Sequence, residues 1–344
     1  MPLRRIRDEA LLRRDAQPDR LSGSRGRAAG RGRFPKELTL APAPSPVRIA
    51  VTGASGFIGS ALVSALRAAG HPVVRLTRTA AAAGESVIWD PARGQLDAAA
   101  LAGVGAVVHL AGAPVDERWT AERKRQIRSS RVDSTALLAR AIAGLRPAPA
   151  VFLSASAIGF YGDRGDDPVD ETAGAGSGFL AQVTREWEDA AAPARDAGIR
   201  TVHPRFGVVL GHGGGALAKL IPVFEIGGGG KIGTGNQWMS WVAREDVVRA
   251  LCFLLTAKTV HGPANITAPY PVRNAEFAKV LGHVLHRPAV ATVPAFAVRL
   301  LYGELADEAL LAGQQVFPRV LEEAGFSFDY PHLEGAIRHE LGRN

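Results

Sequence analysis

The sequence predicts an α/β protein: a doubly wound parallel sheet followed by a smaller, mostly helical C-terminal lobe. Two observations carry this. From residue 47 onward, short apolar runs alternate with helical patterns, as strands joined by crossover helices do. Beyond residue 211 the alternation stops: residues 211–235 hold ten glycines, and 269–344 read as helices broken by prolines.

Taken in order, residues 47–52 (VRIAVT) form the first strand, with Val47, Ile49 and Val51 suited to burial on both faces. Gly53, Gly56 and Gly59 follow at GxxGxxG spacing and open a helix over 57–69 that ends at Gly70. This is the chemistry of a dinucleotide turn. Gly53 permits the tight bend, Gly56 lets backbone approach a pyrophosphate, and Gly59 lets the helix lie close to the strand. The phosphates would rest over free N–H groups at the helix N-terminus, and Gly53, Ser55, Gly56, Phe57, Ile58 and Gly59 are the expected cofactor-binding residues of the turn. Further strands are predicted at 73–77, 105–111, 150–155, 200–203 and 206–210, with helices at about 120–145 and 180–197. The pattern divides the chain into a basic arm (1–46), a nucleotide domain (47–211) and a substrate-side C-terminal lobe (212–344). Parts of 236–268 complete the sheet.

Composition narrows the function classes. The chain carries a formal net charge of +8, yet residues 1–46 alone have ten Arg and one Lys against five acids. That surplus of six leaves only +2 for the rest, so the folded part does not read as a nucleic-acid binder. The arm is rich in Arg, Gly, Ser and Pro and reads as disordered; it has no apolar stretch of a secretory signal, and Asp8, Glu9, Asp15 and Asp19 count against a transit peptide. The single cysteine, Cys252, lies in the apolar run ALCFLL, which points to an inert buried thiol and a reducing, cytoplasmic setting. No apolar run is long enough to span a membrane. Neither histidine spacing nor a CxxC pair suggests a metal, and His212 with three following glycines imitates a lipase motif without any GxSxG elbow.

Longer motifs carry a resemblance. VVHLAGAP (107–114), SASAIGFYGDRG (154–165) and RFGVVLG (205–211), together with the glycine turn, resemble the extended short-chain dehydrogenase/reductase superfamily with its Rossmann domain. More narrowly, RWTAERKRQIRSSRVDST (118–135), FLAQVTREWEDAA (179–191), the glycine-rich 213–242 stretch, NITAPYPVRNAEFAKVL (265–281) and residues 294–337 resemble its atypical epimerase-family branch. That branch is labelled NAD-dependent epimerase/dehydratase or, sometimes, cell-division inhibitor, and it ends in a C-terminal domain of undefined function. The resemblance spans residues 47 to about 337.

The resemblance also exposes a departure. Typical members use a Tyr-x-x-x-Lys pair as acid/base, the lysine lowering the tyrosine's pKa, with a serine holding the substrate oxygen. Here the serine is Ser156, but Phe179 and Val183 stand at the tyrosine and lysine positions, and neither can move a proton. Ser156 and Tyr161 are therefore the candidate catalytic residues, with Asp163 and Arg164 in the same loop. Arg78, after the second strand, suits a 2′-phosphate, so the expected cofactor is NADP(H) ahead of NAD(H). Asp90 is expected near the adenine, and His109, Ala111 and Gly112 at the end of the next strand. Arg118, Trp119, Arg205, Lys231, Gln237 and Trp238, with Asn236 and Ser240, are the candidate substrate-side residues. Ala243 stands where the branch has a histidine.

Two readings follow. One is an NADP(H)-dependent oxidoreductase or epimerase acting on a small polar, sugar-nucleotide-like substrate. The other is a catalytically weak, NADP(H)-binding regulatory protein linked to cell division. Both expect a soluble chain with no nucleic acid, membrane or metal partner, and neither fixes the oligomeric state.

Overall fold

The computed structural model describes residues 45–79 and 85–343. The expected arm therefore lies almost entirely outside the described residues.

The chain builds its sheet in the order in which apolar runs appear. Strand β1 (Ile49–Thr52) is buried at every position and runs into helix α1 (Phe57–Ala68). Strands β2 (Val73–Thr77), β3 (Ser86–Asp90) and β4 (Ala106–His109) follow. Then come helix α2 (Ala121–Ala143), β5 (Val151–Ser154), helix α3 (Phe179–Asp189) and β6 (Arg200–Phe206). A short strand β7 (Val208–Gly211) leads to helix α4 (Gly215–Glu225), β8 (Trp241–Ala243), helix α5 (Arg244–Thr256) and β9 (Gly262–Ile266). The C-terminal region is helical: α6 (Asn274–Leu285), α7 (Ala295–Tyr302) and α8 (Leu333–Glu340).

The main sheet has the order β9-β6-β5-β4-β1-β2-β3, all parallel, with Gln95–Leu96 antiparallel at the β3 edge. Strand order reverses between β1 and β4, and a crevice at their carboxyl ends is where a doubly wound sheet takes its ligand. Each face of the sheet buries a separate apolar layer. Leu62, Leu66, Val247, Leu251 and Leu254 of α1 and α5 cover one; Leu138, Ala139 and Ile142 of α2 cover the other. A third cluster, with Trp241, Phe224, Phe277, Leu281 and Ile337, forms the core of the glycine-rich and C-terminal portion.

Three differences from the sequence expectation have physical causes. Strand β6 passes through Pro204 without the expected break. Its neighbour is interrupted there, pairing at Val151–Leu153 and again only at Ser156–Ala157, so the missing N–H of proline leaves no partner unmet. The helix expected over 180–197 is two helices, α3 and Ala192–Asp196, with Pro193 in the first turn of the second. Strand 206–210 becomes β7, which leaves the main sheet and pairs in parallel with β8.

Buried carboxylates tie the C-terminal segment to α5. Asp246 accepts backbone N–H groups from Asp329 and Tyr330, both at 2.9 Å, and pairs with Arg249 at 2.7 Å. His339 Nε2 meets Glu245 at 2.6 Å.

Candidate functional site

The glycine turn is built for close approach. Gly53 has φ +65°, and a Cβ there would lie 2.8 Å from the Leu110 carbonyl carbon of the neighbouring strand end. At Gly59 a Cβ would come 2.1 Å from the Gly53 carbonyl oxygen, so this glycine lets the helix touch the turn itself. Gly56 caps α1 with no side-chain hydrogen bond, and Ser55 and Gly56 are exposed. The first-turn N–H groups are therefore left for an anion, and a dinucleotide fits this cradle. The Phe57 side chain turns away into a contact with Gly214 and the Arg244 guanidinium, 5.0 Å from its ring centroid.

Beside the turn, His109 fixes the crevice floor. Thr52 Oγ1 accepts from Leu110 N (3.0 Å) and Ala111 N (3.2 Å), so its own proton goes to His109 Nδ1 at 2.7 Å. His109 Nε2–H then points at Ser134 Oγ (3.2 Å), which donates to Ser130 O (2.7 Å). Complete burial, then the charge of Arg131, push the His109 pKa down to about 3. His109 is thus a neutral strut between β1, β4 and α2 and takes no part in proton transfer at neutral pH.

His203, on β6, is pushed down to about 4, chiefly by burial. In the unfolded chain both histidines charge below about 6.5. The unfolded state then binds more protons than the folded one, so stability falls as pH drops from 6.5 towards these values. Each should remove roughly 2 kcal/mol between pH 7 and pH 5. Urea unfolding of wild type and His203→Gln at both pH values measures this. The variant should lose roughly 2 kcal/mol less than wild type over that interval, and an equal loss would refute the assignment.

The remaining candidate cofactor residues follow β2, β3 and β4. Arg78 is exposed just past β2. Asp90, at the end of β3, accepts from Ala92 N at 3.1 Å and pairs with Arg93 at 3.5 Å, so its carboxylate caps the turn that follows. Ala111 and Gly112 form the loop after β4, where Gly112 lies against the Arg131 side chain.

The candidate catalytic residues meet a different geometry from that of solvent-facing proton donors. Ser156, Tyr161 and Arg205 are buried at 1%, 0% and 3% exposure. Ser156 Oγ donates to Glu188 Oε1 (2.6 Å), and Arg205 grips the same carboxylate with Nε (2.7 Å) and Nη2 (2.8 Å). Arg205 Nη1 donates to the Tyr161 hydroxyl (3.0 Å), which donates to Asn265 Oδ1 (2.8 Å). Burial raises the Tyr161 pKa in spite of Arg205. The guanidinium also lies 3.5 Å from the Phe160 ring centroid. These groups form one closed polar network joining β6, β9 and α3, and both hydroxyl protons are committed within it.

Where the Tyr-x-x-x-Lys pair would stand, the chain has an apolar cluster. Val183, Trp119, Ile127 and Leu305 are buried together, and Phe179 meets Trp119 edge-on at 5.1 Å. Trp119 Nε1 is spent on Val115 O at 2.8 Å, and Arg118 donates to Leu300 O. Glu308 caps α3, its two oxygens accepting from Phe179 N and Leu180 N, each at 2.7 Å.

Lys231, Gln237 and Trp238 lie apart from that network. Gln237 Nε2 donates to Leu310 O (3.0 Å). Trp238 Nε1 donates to Asp166 (3.1 Å), and the Arg273 guanidinium covers its ring at 4.0 Å. Gln237, Asn236, Asp163, Asp166, Arg273 and Arg299 contribute to a cavity of about 360 Å³. Sequence reasoning missed Glu188, Asn265 and Glu308, whose roles come from distant pairings that no local motif announces, and Arg131, Arg273 and Arg299. Burial lifts the Cys252 thiol to about 12, so it is inert. Among the described residues there is no cluster of metal-ligating side chains, and no helix is long and apolar enough to cross a membrane.

A reversing parallel sheet with an uncapped glycine-rich turn at its switch point defines a dinucleotide-binding protein of the Rossmann class. The match is specific: residues 49–266 fit the NAD dependent epimerase/dehydratase family, and the chain belongs to that family. Residues 293–340 match a domain of unknown function, DUF1731. An epimerase family protein of Mycobacterium bovis is 44% identical over 296 residues, covering 86% of this chain and 98% of its own. A chloroplastic SDR39U1 homolog of Arabidopsis thaliana is 40% identical, covering 86% of each chain. Among solved structures, human epimerase family protein SDR39U1 with NADPH superposes with a TM-score of 0.78 at 34% identity, covering 86% of this chain and 99% of its own.

Proposed function

We propose that this protein is an NADP(H)-dependent oxidoreductase or epimerase that acts on a small polar, sugar-nucleotide-like substrate. The observation that carries the cofactor half is the turn at Gly53–Gly59 with Arg78 exposed beyond β2, where the fold brings the adenosine ribose. A guanidinium suits a 2′-phosphate, and the human relative was solved with NADPH. When bound, the nicotinamide supplies the hydride acceptor or donor. The turn N–H groups hold the pyrophosphate, and His109, through Thr52, holds the Leu110–Ala111 backbone that borders it. Ser156 and Tyr161 act by positioning Arg205 and Glu188.

One observation favours the second reading, a catalytically weak NADP(H)-binding regulator: Val183 is packed among Trp119, Ile127 and Leu305, and the Lys124 ammonium over the Phe179 ring is held by Glu304. Any proton transferred must come from water or substrate, which forgoes about 10²–10⁴-fold in rate.

Calorimetric titration tests the cofactor half. NADPH should bind at least about tenfold more tightly than NADH, the value of one charged contact, and Arg78→Ala should erase the difference. Equal affinities in wild type would exclude the Arg78 role. For the catalytic half, a panel of nucleotide sugars and carbonyl compounds should yield either oxidation of bound NADPH, followed by stopped flow, or an epimerised product formed by the NADP+-bound protein. No turnover, with NADPH still bound, would select the regulator.

A further inference from the structure

The stretch of chain that precedes Glu308 carries an uncovered apolar band. Exposure alternates along it: Val290, Thr292, Pro294 and Phe296 are exposed, while Ala291, Val293 and Ala295 are half-buried. Residues Ala291–Val293 form a strand paired in parallel with Gly230–Ile232, so every second side chain lies on one face of that pair. Helix α7 continues the band. Its Val298 is buried, whereas Phe296 and Leu300, four residues apart and therefore on one side of the helix, are 71% and 73% exposed. Leu301 is open to 65% and Val290 to 86%. The loop leaving α4 runs alongside, with Ala291 N donating to Gly229 O at 3.3 Å, and its Ile226 is exposed as well.

Charge and size say what covers it. Between Pro288 and Gly303 the only charged side chain is Arg299, and Asp307 neutralises it at 2.8 Å. An anionic membrane surface calls for a rim of lysine and arginine beside the apolar side chains, and a charged peptide calls for unpaired charges of the opposite sign. This stretch offers neither. Depletion of charge around aromatic and aliphatic side chains is instead the composition of an interface core between protein chains. The exposed apolar side chains of the band present roughly 700 Å², more than a monomer ordinarily leaves in water and close to the about 800 Å² that each partner of a stable dimer buries. A second copy brings the same uncharged band, and a two-fold axis lays one on the other without any unpaired charge between them.

We propose that two copies of this chain associate through this face, with Phe296 and Leu300 of α7 packed on their two-fold mates and Val290 and Ile226 towards the rim. Each of these side chains is then buried twice per dimer. Sedimentation velocity on the full chain tests it. Wild type should dimerise at micromolar concentration, and the double variant Phe296→Glu with Leu300→Glu should raise the dissociation constant at least about a hundredfold, because each lost apolar contact counts twice and like charges meet at the axis. Both positions face water in the single chain, so the circular dichroism spectrum of the variant should match that of wild type. Val290→Glu, at a separate point of the band, should weaken the dimer about tenfold and carries the comparison if the double variant does not fold. A dimer that survives all three substitutions unweakened uses another surface and overturns the proposal. So does wild type that stays monomeric up to about 100 μM; flotation of that monomer with phosphatidylcholine vesicles would give the face to lipid instead. Neither readout depends on the cofactor.

Discussion

Glu188→Ala should cost about 3–5 kcal/mol of stability, because it strips from the Arg205 guanidinium the carboxylate that pairs with it among the described residues and leaves that charge buried. The Ser156 hydroxyl loses its acceptor in the same stroke. For a chain of this size such a loss corresponds to a fall in Tm of about 4–7 °C. Glu188→Gln keeps a carbonyl acceptor and should cost less. Tyr161→Phe should cost about 1–3 kcal/mol, since Arg205 Nη1 and Asn265 Oδ1 each lose a partner. Denaturant unfolding of the three variants ranks them directly. If Glu188→Ala melts within a degree or two of wild type, the network is not the structural unit described above.

Gly59→Ala should abolish measurable NADPH binding while leaving a folded chain. One methyl group would sit 2.1 Å from the Gly53 carbonyl oxygen, and Gly53 itself is held against the Leu110 carbonyl, so the clash has no flexible side chain to absorb it. The turn must open, which moves the α1 N–H groups off the phosphates; losing two charge-assisted hydrogen bonds weakens binding by roughly 10²-fold or more. Gly70→Ala, where an added Cβ meets nothing within 4 Å, is the control for backbone effects, because its φ of +88° brings strain without a clash. Gly59→Ala that retained wild-type affinity would remove the turn from the binding site.

The two variants mark what could and could not be read in the residue string. The glycine turn was legible because three requirements (a left-handed bend, a close approach and a free helix terminus) leave a spacing within seven residues. The parallel strands were legible from apolar runs buried on both faces, such as Ile49–Thr52 and Val151–Ser154. Strand β9 was placed only within the broad stretch 236–268, since GPANI has glycine and proline where a strand pattern wants β-branched residues. It tolerates them because it is the edge strand. The polar network was illegible for another reason. Ser156 and Tyr161 share one short segment, Glu188, Arg205 and Asn265 come from three others, and any of the five, seen alone, has the chemistry of a catalytic group. Only the mutual distances show that their donors and acceptors are used up on one another.

The cap that Glu308 places on α3 changes how the tail of the chain must be regarded. A shortened chain that stopped before residue 300 would leave the Phe179 and Leu180 amides open to water and uncover Trp119 and Val183, the partners of Leu305. The segment around Leu305 and Glu308 therefore behaves as a late-arriving piece of the wall that α2 and α3 build. During synthesis that wall stays open until Leu305 and Glu308 have left the ribosome, so any shorter nascent chain exposes its apolar side chains.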